Sequence, residues 1–390
     1  MLVASLVLAV GLFAVAAVTQ LRGLRLGGTI VAGVLAMYSL KNFVMLPLFV
    51  GSATLAAGVL WFVREHTLLY GRDEFVVTLL AGSGIPMLLL AVEFALPGPL
   101  SRALVRASFI GSVLPGLAAY NFMQVKPEHR REDLLASVGL LSVLLVVGGL
   151  LVGPETRFLA DYAPLVLFAE TSDIALLRGA VVDGPADPVI VAREVVVAAF
   201  GVGLVLSELA RRTVGLRVGI VSLAILAVYT LSSVRLVGLF LVELVVLVAF
   251  VEAVNRTTLL YGRVLIGLAT GTGVVLGVAL TPLLGVELGL SALVVGLLAG
   301  IDAYNVHVTP PAERVQWLAV VLAMYAALLL VLRLVVQPLP DGAPQSLGLP
   351  TVVGGVLLVV GCLALALALG ARKPDDRSVL SASVLSGGDG

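Results

Sequence analysis

Cysteine occurs once in this 390-residue sequence, at Cys362 within an apolar run, which excludes an intrachain disulfide and any cysteine-based metal site. Histidine occurs three times, at His66, His129 and His307, without the spacing that metal ligation needs, so each reads as an interfacial loop residue. Charge is scarce too. Asp, Glu, Lys and Arg make up 12% of the chain, against about 25% in an average soluble domain. The formal net charge is zero and no long basic run exists, which removes the electrostatic case for nucleic-acid binding. Phosphate-cradling Gly-Lys-Ser/Thr loops, Gly-x-Ser-x-Gly elbows and His-Glu-x-x-His motifs are missing, so no catalytic residue, metal or cofactor is assigned.

What fills the chain is hydrocarbon. Hydrophobic residues reach 60% and gather in long uncharged runs, the mark of an all-α polytopic membrane protein. Apolar segments run near 1–20, 26–40, 43–63, 75–96, 105–123 and 132–152, and again near 189–208, 216–231, 234–253, 264–284, 288–306 and 313–336. A thirteenth, 350–370, has no partner. A span needs about 20 apolar residues, so 26–40 and 216–231 are short and are expected to be tilted, half-buried or re-entrant. The first segment lacks the basic start of a signal peptide and is expected to be a retained span.

The sequence reads as one module written twice. Thr67-Leu68-Leu69-Tyr70-Gly71-Arg72 recurs letter for letter as Thr258-Leu259-Leu260-Tyr261-Gly262-Arg263, an offset of 191. Upstream, Gly23-Leu24-Arg25 meets Gly215-Leu216-Arg217 at an offset of 192. Downstream, Gly116, Ala119-Tyr120-Asn121, Pro127 and Arg130 meet Gly300, Ala303-Tyr304-Asn305, Pro311 and Arg314 at 184. Ordered matches with small indels are what tandem duplication leaves. The expected organisation is a first membrane repeat over 1–152, an acidic external linker over 153–188, and a second repeat over 189–336. A loop and extra span (337–370) and a disordered cytoplasmic tail (371–390) follow. If all thirteen segments cross with the N-terminus outside, sixteen of the 24 basic residues face the cytoplasm of a plasma-membrane protein whose C-terminus is also inside. Each copy then crosses an even number of times, which makes the repeats parallel.

Two constellations carry candidate chemistry. In the corners Tyr70-Gly71-Arg72 and Tyr261-Gly262-Arg263, glycine allows a left-handed turn, tyrosine suits the headgroup level, and arginine can grip carboxylate or phosphate. The plainer reading is an aromatic anchor beside a positive-inside signal, and both readings stand at this point. Pro115-Gly116, followed by Asn121, frees backbone groups that lipid cannot satisfy, and so marks either a broken helix on a conduit or a packing kink. Its counterpart keeps Gly300 and Asn305 without the proline; the two asparagines can instead link helices. Asp302 and Glu243 lie within apolar segments, where burying an acid is costly and often functional. Neither has an acidic counterpart, since Ala118 and Ser52 stand at the matching positions.

Leu68-Leu69-Tyr70-Gly71-Arg72 with Phe75, then Phe109-Ile110-Gly111-Ser112-Val113-Leu114-Pro115-Gly116-Leu117 with Asn121 and Gln124, resembles the PgsC/CapC membrane subunit family of poly-γ-glutamate synthesis. The resemblance covers residues 1–152 well and 189–336 more weakly. The chain departs from the family in being duplicated, in reading Ala32-Gly33 where an early Pro-Gly is expected, and in lacking the later proline in its second copy. What the resemblance implies is a non-catalytic or co-catalytic membrane subunit for synthesis or export of an anionic polymer. Its implied partners are a cytoplasmic Mur-ligase-like, ATP-dependent amide ligase and a further membrane-anchored capsule subunit. A stand-alone secondary transporter and a non-transporting membrane scaffold are the rival readings.

Overall fold

The computed structural model describes residues 2–88, 114–156, 172–179, 193–216, 219–286 and 289–371. Among them every regular element is a helix, and eight of the helices are long and apolar enough to cross a membrane. In the first half these elements are α1 (Leu2–Arg22), α2 (Val31–Lys41), α3 (Met45–His66), α4 (Arg72–Gly82), α5 (Leu114–Met123) and α6 (Arg130–Leu151). A short α7 (Asp173–Arg178) precedes the second half: α8 (Arg193–Val214), α9 (Ile220–Ser232), α10 (Val234–Thr258), α11 (Gly262–Leu284), α12 (Gly289–Val308) and α13 (Arg314–Val335). The extra segment forms α14 (Leu349–Gly370). Glu93, the stretch Phe109–Val113, most of the linker and the tail lie outside the described residues.

Small residues set how closely these helices approach. A Cβ on Gly273 of α11 would strike the Gly296 carbonyl of α12, and one on Gly33 of α2 would lie 2.9 Å from the Leu8 carbonyl of α1. In an apolar solvent no hydrophobic force drives helices together, so close backbone approach supplies the packing energy instead. The longest reach is that of α1, which lies along α11 of the other half: Phe13 and Ala16 fill the faces left open by Gly271 and Gly267. Leu12, Val15, Leu265 and Ala269 share one buried core with them. The outer faces of α3, α6 and α10 expose Trp61, Phe62, Val143, Val146, Leu241 and Val245, an apolar surface that suits lipid. α14 is more peripheral still, with Ala366 as its one buried residue, and it rests on α13.

Contacts sort the chain ends of the helices into two sets. At one end Arg22 lies 4.0 Å from Glu132, Arg64 donates to the Met123 carbonyl, His307 pairs with Glu252 and Gln316 donates to the Ala366 carbonyl. At the other, Arg235 donates to the Gly285 carbonyl, the 337–348 loop bonds Leu231 and Thr230, and Arg333 holds the Pro344 and Gln345 carbonyls. The linker contributes to this second end through α7. Asp173 Oδ2 accepts from the Phe43 amide at 2.8 Å, Arg178 donates to the Val152 carbonyl, and Ile174 and Ala175 are buried. That part of the linker is thus a packed cap on the α2–α3 turn, which its acidic composition did not announce.

Candidate functional site at the arginine-rich end

Both Tyr-Gly-Arg corners sit at the first end and share a left-handed glycine, but they leave their helices differently: Thr67 is extended at φ −135°, whereas α10 runs through Thr258 and exits at Leu259 with a left-handed φ of 56°. The hydroxyls of Thr67 and Thr258 fold back onto Val63 and Val254 carbonyls and accept from the amides of Leu69 and Leu260. Gly71 and Gly262 then take left-handed φ values of 65° and 63°, which a residue with a Cβ adopts only under strain, and the next helix begins. Tyr70 and Tyr261 are each 82% exposed. The first corner is tied down further by the Tyr120 hydroxyl, which donates to the Gly71 carbonyl at 3.3 Å.

The two arginines meet different surroundings. Arg72 reaches across to α8, where its Nη2 donates to Ser207 Oγ at 3.2 Å and its Nε lies 3.5 Å from Glu208. Glu208 also accepts from Arg211 and Arg212, and Asp73 lies 3.5 Å and 3.4 Å from those two arginines. Arg263 lies within electrostatic reach of the first half instead, where Arg25 acts on it as a like charge and Asp133 and Tyr120 oppose that effect. Its Nη1 is buried and has no hydrogen-bond partner among the described residues.

Between these arginines an irregular loop enters the bundle. Gly23 closes α1 with φ 69°, and Leu26, Gly27 and Gly28 all keep positive φ before α2 starts at Val31. Such backbone is tolerated at membrane depth only when protein satisfies its polar groups. Asp133 Oδ1, on the first turn of α6, accepts from the Arg25 and Leu26 amides at 2.6 Å and 2.9 Å, while Asn121 donates to the Gly27 carbonyl at 3.3 Å. In the second half a buried acid sits near the start of the short helix as well, but it bonds side chains rather than loop backbone. There Asp302 accepts from Ser222 Oγ at 2.9 Å and from Asn305 Nδ2 at 3.2 Å, beside Gly219. The loop before α2 takes up chain that would otherwise be helix; α2 has 11 residues and α9 has 13. At about 1.5 Å per residue neither crosses a hydrocarbon core of about 30 Å.

Pro115, Gly116 and Gly300 occupy helix crossings. A Cβ on Gly116 would come within 2.6 Å of Leu79 Cα in α4, and one on Gly300 within 2.6 Å of Thr270 Cα in α11. α12 runs unbroken through Gly300, and the open side of each glycine is filled by backbone, as the packing-kink reading requires. A cavity of about 390 Å³ lies between α2, α3, α5 and α6, and Leu35, Phe49, Phe122 and Leu141 line it, with Asp133 among its few polar groups. Its lining suits hydrocarbon better than a hydrated polyanion.

The structure therefore brings Tyr70, Gly71, Arg72, Tyr261, Gly262, Arg263, Asn121, Asp302 and Asn305 to one end, with Gly116 and Gly300 deeper at crossings. Asp133 and Glu208 belong to the same end and were not singled out from the sequence. Among the described residues no group of three His, Cys, Asp or Glu side chains is placed to hold a metal.

Helices, lipid-facing surfaces and satisfied irregular loops define a multi-pass α-helical membrane protein. Residues 10–131 match the family model for capsule biosynthesis CapC, a stretch that holds the first corner, Pro115-Gly116 and Asn121. No curated protein and no solved structure matches the chain.

Proposed function

We propose that this protein is the membrane subunit of a capsule system that makes or exports poly-γ-glutamate, working with a cytoplasmic ATP-dependent amide ligase. The observation that carries the reading is the coincidence of the capsule-family match with an end where both exposed Tyr-Gly-Arg corners gather. Guanidinium groups at such an entrance bind carboxylates in a planar, bidentate way, which a poly-carboxylate chain can exploit repeatedly. On this reading the arginine-rich end is cytoplasmic, the N-terminus is outside, and the ligase docks on the corners. A further membrane-anchored capsule subunit completes the assembly.

The same proposal includes tandem duplication. It is supported by paired details at the sequence offsets: Gly116 on Leu79 and Gly300 on Thr270, Arg130 on the Val125 carbonyl and Arg314 on the Thr309 carbonyl, and the Asn42 and Ser233 amides on Tyr38 and Tyr229. The test is deletion of the gene in its host with polymer measured, complemented by wild type and by the Arg72→Ala/Arg263→Ala double variant, and co-purification of the amide ligase. Loss of polymer restored only by wild type supports the reading. Unchanged polymer on deletion refutes it, and ion-gradient-driven uptake by the purified protein alone would favour a stand-alone transporter.

A further inference from the structure

Glu243 is the tenth residue of α10, about 14 Å from that helix's start at 1.5 Å per residue, and hence near the middle of the bilayer. Its side chain is 0% exposed, and neither carboxyl oxygen has a hydrogen-bond partner among the described residues. Room for it is made by Gly277 of α11, where a Cβ would lie 2.9 Å from Oε1 and 3.3 Å from the Ala292 carbonyl of α12.

Among the described residues no charge compensates it. Of the elements packed on α10, α11 carries Arg263, fourteen positions away toward the arginine-rich end, and α12 carries Asp302, Tyr304 and His307, ten or more positions beyond Ala292. α9 carries Tyr229. On α10 itself Arg235 is engaged with Gly285, and Glu252 with Arg256 and His307. An ionised carboxylate with neither cation nor donor is untenable in hydrocarbon, so the group must be neutral as it stands. At the offset of 191 the first half has Ser52, equally buried at 0% exposure and with an Oγ that has no hydrogen-bond partner among the described residues. Its hydroxyl stays neutral across the physiological range, whereas the carboxyl at the matching place in the second half can exchange a proton.

We propose that Glu243 is a proton-binding site in the membrane interior of the second half. Binding one proton gives the neutral acid seen between Gly277 and Ala292, and release gives the carboxylate and a free proton, with no other reactant. Separation of α10 from α11 and α12 is the movement that lets water reach it.

The probe is dicyclohexylcarbodiimide, added to the full-length protein in phosphatidylcholine vesicles. The acid proton passes to a carbodiimide nitrogen, the carboxylate adds to the central carbon, and the O-acyl adduct rearranges to a stable N-acylurea with every atom retained. Peptide mapping by mass spectrometry then locates the adduct without relying on any variant. The expected result is label on Glu243 at neutral pH, falling severalfold as the vesicles are made alkaline, lost in Glu243→Gln and kept in Asp302→Asn. Absence of label on Glu243, or labelling that stays constant with pH, would overturn the proposal, the second because it marks a sealed carboxyl that does not exchange.

Discussion

The two Tyr-Gly-Arg corners share a left-handed glycine and an exposed tyrosine, yet their arginines live under different conditions. Arg72 is neutralised by Glu208 within a five-member charge network that joins α4 to α8. Arg263 feels Arg25 as a like charge and keeps a buried Nη1 without a hydrogen-bond partner among the described residues. The cause can be read from one position. At the offset of 192, Ala16 stands in α1 where Glu208 stands in α8, and its methyl group fills the notch at Gly267. One interface between the halves is closed by ions and the other by packing. Identical sequence at a corner therefore does not give identical chemistry; the helix across from it decides.

The largest effect is expected where that packing is closest. Gly300→Leu or Gly116→Leu should cost about 3 kcal/mol or more, because the added side chain meets backbone that cannot retreat, and membrane yield and thermal unfolding in detergent would register the loss. A stably folded variant of either kind would mean that these crossings are looser than described. Next comes the ionic interface: Glu208→Gln leaves three arginines with Asp73 alone, and a loss of about 1–2 kcal/mol is expected, smaller in high salt. A salt-independent effect would point away from charge.

A single pair of variants sharpens the contrast. Arg72→Ala should lower the unfolding temperature, whereas Arg263→Ala should leave it nearly unchanged, since the latter removes a guanidinium nitrogen that was buried without a partner. Polymer output, in contrast, should fall more for Arg263→Ala than for Arg72→Ala. The reverse order in both measurements would assign the anion-binding role to the first corner. Smallest of all, Tyr70→Ala and Tyr261→Ala should each shift stability by less than about 0.5 kcal/mol and by similar amounts, since both rings are exposed.

Much of the frame was legible in the chain. Hydrophobic run length located the long helices to within a few residues, and the shortness of 26–40 and 216–231 reappears in the short helices α2 and α9, because a deficit of apolar length has few structural outlets. Asn121 and Asn305 bond otherwise than as helix-to-helix links: Asn121 donates to the Gly27 carbonyl of the loop and to Leu117 on its own helix, and Asn305 to Asp302 on its own helix. The acids were harder. Asp133 follows Arg130, Arg131 and Glu132 and looks like one more interfacial charge; its role emerges only when the Gly23–Ile30 loop folds back onto it. Asp302 was visible, but Ala118 stands at its matching position, and the buried acid of the first half, Asp133, lies fifteen residues later on another helix and bonds backbone amides where Asp302 bonds side chains. In turn Trp317 occupies the position that matches Asp133. Glu208 looked like an ordinary helix-end charge because its partner Arg72 is remote in sequence. Long-range pairing of this kind leaves no local period to read.

The run of Phe13 and Ala16 along Gly271 and Gly267 fixes an order of events during synthesis. α1 leaves the ribosome first, but the surface it is shaped to cover is made only after the whole first half and the linker have been inserted. Until then its inward face has lipid or the insertion machinery for company, and the bundle cannot close around it. A chain stopped before α11 would be left with an open seam that a second copy, offering its own helices, is the natural way to seal.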